Sequence, residues 1–351
     1  MSSQQQTVFR LPSKGAGYQA LKASNEPIPQ PKAHEVVLEV HAVTLNYRDL
    51  VIANGGYPFP VKDNCVPLSD GAGIITAVGE NAEGFNKGDY AIANFDISHL
   101  HDRVQPDWEH GLGGPIDGML RQYVALPAAA MVKIPKSTKL SWSQLATLVC
   151  TGITAWNALY GLQSLALRPG QTVLFQGTGG VSMTGLMLAR AAGARTIITS
   201  SSDEKLKLAR EKYGVDHCIN YKTTPDWASE ASKITAGKGV DIILENGGAG
   251  TLGQSLECVA RGGMISIIGF LAAADKMPDV AGAILGKGCV VRGINVGGKP
   301  LTEDMVAFVT GKELDVPVEK EFGFSQEQVE EAYKYLESGG HVGKVAIVIK
   351  K

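Results

Sequence analysis

The chain has no C-x-x-C pair, no long unbroken apolar run and almost no excess of either charge. Its five cysteines, Cys65, Cys150, Cys218, Cys258 and Cys289, are odd in number and far apart. That spacing argues against a disulfide framework and for reduced thiols in an intracellular protein. Gly, Arg or Lys interrupts each apolar run well before about 18 residues, so no membrane-spanning helix is expected. The opening MSSQQQTVFRLPSKG lacks a positive start followed by an apolar core, so no secretory signal is read there and a cytoplasmic location is expected. A net charge of −2 supplies no field that would draw a phosphate backbone or an anionic bilayer. No stretch interleaves aromatic with basic residues as nucleic-acid platforms do. A nonenzymatic nucleotide-binding or RNA-binding protein is therefore a weak alternative, and neither nucleic acid nor membrane is expected as a partner.

What the chain does have is size, small residues and period. At 351 residues, with 44% apolar residues, 19% charged residues and 42 glycines, it reads as a well-packed globule of two domains. Residues 172–202, TVLFQGTGGVSMTGLMLARAAGARTIITSSS, carry the clearest signal. A short apolar strand runs into Gly177, Gly179 and Gly180, then a small-residue helical segment from Val181 to Ala192 that Gly193 stops, then a second β-rich run. Strand, tight turn, helix and strand let backbone amides and a helix N-terminus face a pyrophosphate. Ser182 stands where the usual G-x-G-x-x-G pattern has its third glycine, which predicts slightly looser packing of helix on strand.

Before this stretch the sequence reads as β-rich. Residues 1–34 are polar, and Pro27, Pro29 and Pro31 suggest an extended approach to a first strand at 35–44, EVVLEVHAVT. A short helix beginning near Asn46, strands around 67–79, 86–92 and 118–126, and glycine turns between them predict a compact, barrel-like domain over about residues 30–148. Residues 95–118 form a polar excursion containing His99, His101, Asp102 and His110. Three imidazoles could bind a metal, yet loop-pinning histidines explain them as well, and no metal is expected. After the glycine turn, helices and strands alternate at 10–20 residue spacing to about 296, the pattern of a parallel doubly wound sheet. Two amphipathic helices and a strand at 344–349 then return to the first domain. The expected boundaries are 1–148 with 297–351, and 149–296.

Six strings, NYRDL (46–50), PLSDGAGIITAVGE (67–80), FNKGDYA (85–91), TGITAW (151–156), GTGGV (177–181) and GHVGKVAI (340–347), carry a resemblance over nearly the whole chain. The chain resembles the medium-chain dehydrogenase/reductase superfamily. It is most similar to its zinc-free quinone oxidoreductase and enone reductase branch and to fungal zinc-type alcohol dehydrogenase-like proteins. The resemblance implies an α/β fold in which a Rossmann-type doubly wound parallel sheet is inserted into a GroES-like catalytic domain. In zinc-dependent relatives a Cys stands where this sequence has Asn46, and a Gly-His-Glu string where it has Leu68, Ser69 and Asp70. Cys150 matches the third ligand position. One thiolate does not hold a catalytic zinc.

The resemblance further implies an NADPH-dependent, zinc-independent reductase of quinones or enones. A zinc-free NADP-dependent alcohol dehydrogenase or carbonyl reductase is the alternative. Candidate catalytic residues are Asn46, Tyr57 and Tyr47, with Tyr57 placed as a cleft phenol and Asp49 and Asp70 as structural partners. For the cofactor the expected residues are Asn46, Thr154, Gly177, Gly179, Gly180, Val181, Ser200, Ser201, Lys205, Tyr221, Asn246, Gly269, Phe270, Leu271, Asn295 and Lys344. Ser200 stands where an NAD site usually has a carboxylate, which favours NADPH over NADH. A homodimer is expected through the apolar strand at 289–296, because an unpaired apolar edge is otherwise an aggregation liability.

Overall fold

The structure is a computed structural model, and it describes residues 4–101, 107–273 and 278–350. The chain divides into two compact units, Met1–Ile153 with Gly297–Lys351, and Thr154–Val296.

The first unit begins with β1 (Gln5–Arg10) and β2 (Lys22–Pro27), which pair antiparallel with Gln5 opposite Pro27 and Arg10 opposite Lys22. The sequence had predicted only an extended approach here. A pairing partner, more than composition, makes such polar segments into strands. There follow β3 (Glu35–Thr44), α1 (Tyr47–Ala53), β4 (Asp70–Val78), β5 (Tyr90–Ala93), β6 (Tyr123–Pro127), β7 (Met131–Ile134) and α2 (Trp142–Thr147). Most of β3 is buried on both faces, so its residues read as a near-continuous apolar run. It pairs with β4 along one edge and with β6 through residues 35–39 of the other.

Local caps set the helix starts. Asn46 N donates to Asp49 Oδ2 at 2.7 Å in the capping box of α1. Ser141 and Gln144 form the same device at α2. One π turn, Leu148–Gly152, joins α2 to α3 (Ile153–Tyr160) and carries Cys150.

The second unit is β8 (Thr172–Gln176), α4 (Gly180–Ala191), β9 (Arg195–Ser200), α5 (Asp203–Glu211), β10 (His217–Asn220), α6 (Trp227–Ile234), β11 (Val240–Glu245), α7 (Ala249–Cys258), β12 (Val259–Ile267), α8 (Val280–Lys287) and β13 (Val290–Gly293). All six strands run parallel in the order β10-β9-β8-β11-β12-β13. The order reverses between β8 and β11, so the loops leaving their carboxyl ends part and open a crevice. Helix α8 was not foreseen from the sequence.

The chain then re-enters the first unit with α9 (Lys299–Gly311), β14 (Val318–Phe322), α10 (Gln326–Glu337) and β15 (Lys344–Val348). β15 pairs antiparallel with β3, Ala346 opposite Thr44 and Val348 opposite Ala42. This sheet is an open path, β14-β15-β3-β4-β5-β7, with β6 on β3. The expected barrel closure is not shown: among the described residues no pairing joins β14 to β7.

Candidate active site and cofactor cradle

In the second unit the glycine turn follows β8 at the switch point. Gly177 has φ 76°, a conformation open to glycine, and its N–H donates to Thr199 O at 2.9 Å. Gly179 is the N-cap of α4 and offers no side chain to the helix's first amides. A Cβ at either Gly177 or Gly179 would meet no heavy atom within 4 Å. The first turn of α4 therefore presents orphan N–H groups and positive helix-end charge to open space, which fits a pyrophosphate. Ser182 is buried, and its hydroxyl donates to Gln176 O at 2.7 Å, tying helix to strand where the motif's third glycine would stand. The close approach falls at Gly185 instead, where a Cβ would lie 2.8 Å from the Phe175 ring.

Across the switch point lies a polar network that sequence reading missed. Glu245, fully buried at the end of β11, accepts from Gln176 Nε2 at 2.7 Å, from the Gly247 and Gly248 amides at 3.0 and 2.9 Å, and from the Thr251 and Ser255 hydroxyls. Asn246 Nδ2 donates to Gln176 O at 3.1 Å and Ser182 Oγ at 3.0 Å. These bonds fix the loop that leaves β11. The available signal was a glutamate closing an apolar strand, VDIILE, because a buried carboxylate requires donors.

The other expected cofactor residues of this unit lie at the strands' carboxyl ends, in the loops leaving them or in helices α3, α4 and α5. Ser200 closes β9 and its hydroxyl accepts from Ser202 N at 3.3 Å, while Tyr221 N donates to Ser200 O at 3.1 Å and the Tyr221 ring is exposed. Ser201 precedes the Ser202 cap of α5, and that cap accepts from Lys205 N. Gly180 and Val181 open α4, Gly269, Phe270 and Leu271 follow β12, and Asn295 follows β13. Phe270 and Leu271 are exposed, and Thr154 in α3 is buried.

In the first unit a buried cation organises the corner between β3 and α1. Lys344 Nζ, at the start of β15, donates to Leu45 O at 2.7 Å, Asn46 Oδ1 at 2.6 Å and Asp70 Oδ2 at 3.1 Å. Lys344 is 2% exposed and Asp70 is 0% exposed, so this is an ion pair inside the protein. Asp70 also accepts from Thr44 Oγ1 at 2.9 Å and Ser69 Oγ at 2.6 Å, and Asn46 Nδ2 lies 3.5 Å from Ser69 Oγ. The sequence placed Lys344 beside the cofactor; the structure gives all three of its ammonium protons to acceptors of its own unit.

This donor set does not fit zinc. Asn46 Oδ1 and Asp70 are engaged by the ammonium. Desolvation, with the Asp70 charge adding to it, pushes the Cys150 thiol up to about 12, and this single cysteine falls short of the three protein ligands a catalytic zinc takes. Among the described residues no group of three or more His, Cys, Asp or Glu is arranged to hold a metal. His99 is buried, and its backbone carbonyl accepts from Asn94 Nδ2 at 3.2 Å; His110 Nδ1 lies 3.3 Å from Asp107 Oδ1. Asp102 lies outside the described residues.

Asn46 and Tyr57 are buried, whereas Tyr47 is 56% exposed on the first turn of α1. The Tyr57 ring lies over the Arg48 guanidinium, 5.2 Å from its carbon, and that same guanidinium is 4.7 Å from the Phe95 centroid. Arg48 was not singled out, although it stands inside the NYRDL string. Asp49 is pushed up to about 6 by burial, with the Arg48 charge and the Asn46 N–H pulling the other way.

Two family models match the chain, an alcohol dehydrogenase GroES-like domain over residues 32–136 and a zinc-binding dehydrogenase over residues 180–311. A zinc-type alcohol dehydrogenase-like protein of Schizosaccharomyces pombe is 46% identical over 340 residues, 95% of this chain and 96% of that protein. A solved structure from Sinorhizobium meliloti 1021, provisionally called an alcohol dehydrogenase, is 38% identical with a TM-score of 0.87, covering 99% of this chain and all (100%) of that one. The Escherichia coli quinone oxidoreductase complexed with NADPH, at 21% identity and TM-score 0.79 over 98% of this chain and 100% of that one, shares the fold. With a GroES-like β unit, a parallel nucleotide-binding sheet and a relative matched at nearly full length, the chain belongs to the medium-chain dehydrogenase/reductase superfamily of NAD(P)H-binding oxidoreductases.

Proposed function

We propose that the protein is an NADPH-dependent, zinc-independent reductase of quinones or α,β-unsaturated carbonyl compounds. The observation that carries this reading is the Lys344 ammonium, bonded to Asn46 and Asp70 where zinc-dependent relatives gather metal ligands. NADPH, when bound, supplies the hydride.

The protein's own residues bind, orient and protonate. The uncapped start of α4 takes the pyrophosphate, while Ser200, Ser201 and Lys205 take the 2′-phosphate, with no carboxylate at Ser200 to repel it. Tyr221 flanks the adenosine, and Asn246, Gly269, Phe270, Leu271 and Asn295 border the nicotinamide half. Lys344 fixes the Asn46 amide with Oδ1 toward the ammonium, so Nδ2 is the end that donates, to an acceptor carbonyl or to the cofactor amide. For an enone, hydride adds at the β carbon, the π electrons move onto the carbonyl oxygen, and a proton arrives at the α carbon. Hydrogen-bond donors stabilise that oxygen without a metal. The Tyr57 phenol is the proton donor in this reading. A homodimer through the outer edge of β13 is part of it, supported by α8, in which no residue is buried and Leu285 is 85% exposed.

The alcohol dehydrogenase in the name of the Schizosaccharomyces pombe relative favours a second reading, which with the Lys344 ammonium at the ligand corner becomes a zinc-free carbonyl reductase or alcohol dehydrogenase. The test is NADPH oxidation, compared with NADH, against quinones, enones and aldehydes in the presence of chelator. Turnover of quinones or enones is expected. Aldehyde turnover alone would establish the second reading, and loss of all activity in chelator would refute metal independence.

A further inference from the structure

Arg48 is a buried cation that the chemistry above does not use. Its Nη1 donates to Leu112 O at 2.8 Å, and its Nε and Nη2, both buried, have no hydrogen-bond partner among the described residues. These two N–H groups form one edge of the guanidinium, the edge that grips a carboxylate through two parallel bonds. Asp49 does not fill it. The Asp49 Oδ2 is taken by Asn46 N, and its Oδ1 is also without a partner.

Aromatic rings border the guanidinium. The Tyr57 and Phe95 rings lie 5.2 and 4.7 Å from the guanidinium carbon, and Tyr57 is edge-on to Phe59 at 5.4 Å. Gly114 lets the guanidinium lie close, since a Cβ there would come within 2.6 Å of Nη2. Tyr57 follows Gly55, at φ 85°, and Gly56, so its segment can re-set its backbone to move the ring aside. An arginine keeps its charge at any working pH; Asp49 and the Tyr57 phenol lie near enough to act on that charge, while the buried Nε and Nη2 still lack a hydrogen-bond acceptor, which is costly unless a ligand supplies one.

We propose that the Nε–Nη2 edge of Arg48 is a binding site for a planar oxyanion of the substrate, with the Tyr57 and Phe95 rings bordering the ligand. The shared chemistry has two sources, a carboxylate the acceptor carries permanently or the acceptor oxygen that becomes anionic on hydride addition. The proposal rests on the reductase reading for its place in the reaction but not for binding.

Calorimetric titration of the NADPH-loaded protein with benzoate and with its neutral counterpart benzamide tests it. Benzoate is expected to bind at least about tenfold more tightly, a difference of about 1.4 kcal/mol. Arg48→Gln should bring the two ligands to within about threefold of each other while NADPH affinity stays within about twofold. If Arg48→Gln does not fold, Arg48→Lys keeps the charge without the paired edge and should lose most of the preference, and Gly114→Ala should weaken benzoate by displacing the guanidinium. Equal binding of benzoate and benzamide to the unaltered protein, or an undiminished preference in Arg48→Gln, overturns the proposal. Turnover of an enone bearing a free acid and of its methyl ester separates the sources. A raised KM for the acid alone identifies a permanent carboxylate, and a lowered kcat for both identifies the developing oxyanion. Benzoate selectivity without quinone or enone turnover would sink the reductase reading and leave this site standing.

Discussion

Replacing Lys344 by Met leaves Asp70 as a fully buried carboxylate whose remaining donors are the hydroxyls of Thr44 and Ser69. Breaking a buried ion pair by removing one partner costs about 3–5 kcal/mol. The two hydroxyl bonds keep the loss near the lower end, so Lys344→Met should destabilise the first unit by about 3 kcal/mol. Asp70→Asn strands the ammonium instead, which retains Leu45 O and Asn46 Oδ1 as acceptors, and should cost about the same. The double variant has no unpaired charge left to bury, so its loss should fall short of the sum by about 2 kcal/mol. Hydrogen exchange followed by mass spectrometry on peptides covering β3 and β15 reads the opening free energy of this unit directly, without assuming that the whole chain unfolds in one step. A coupling below about 0.5 kcal/mol would show that Lys344 and Asp70 act independently, and the account of the corner built on their pairing would be wrong.

Asp49 gives a pH dependence with a definite sign. Its folded pKa of about 6 lies above its unfolded value of about 3.8, so the stability linked to its proton is complete below about pH 4 and lost as pH rises through about 6. The loss amounts to about 3 kcal/mol and is flat above that window, and Asp49→Asn, which keeps the acceptor for Asn46 N, should remove this component from the exchange-derived stability profile. Gly179→Ala adds a methyl to open space at a φ of −77°, so stability should change by less than about 0.5 kcal/mol. The same methyl intrudes on the pyrophosphate cradle, and NADPH affinity measured by fluorescence titration should fall about tenfold; an unchanged affinity would move the phosphate site elsewhere. Ser200→Asp puts a carboxylate at the end of β9 and should shift the NADPH-to-NADH preference in kcat/KM by about tenfold or more toward NADH.

Much of the second unit was legible because its signals are local. The turn from β8 into α4 depends on Gly177, Gly179 and Gly180, a few positions apart, and the structure forms it. The β1–β2 pair, β14 and α8 were not legible. Their composition is ordinary, and strand character came from a partner: Gln5 pairs with Pro27, and Val318 pairs with Lys344. The Glu245 network was hidden for a related reason, since its donors come from the end of β8, the loop after β11 and the body of α7.

Sequence alone determined the superfamily, the parallel sheet with its glycine turn, and the substitution of Asn46 and Ser69 at positions where zinc-dependent relatives carry ligands, because identity and short-range order are written residue by residue. Only the tertiary structure decided what occupies that corner. Lys344 and Asp70 are 274 positions apart, and the return of β15 to the edge of β3 brings the ammonium to the carboxylate. The same is true of Arg48, an unremarked letter in NYRDL until burial removes water from its Nε–Nη2 edge and leaves it without an acceptor. A side chain's type is local, but its desolvation and its partners belong to the fold.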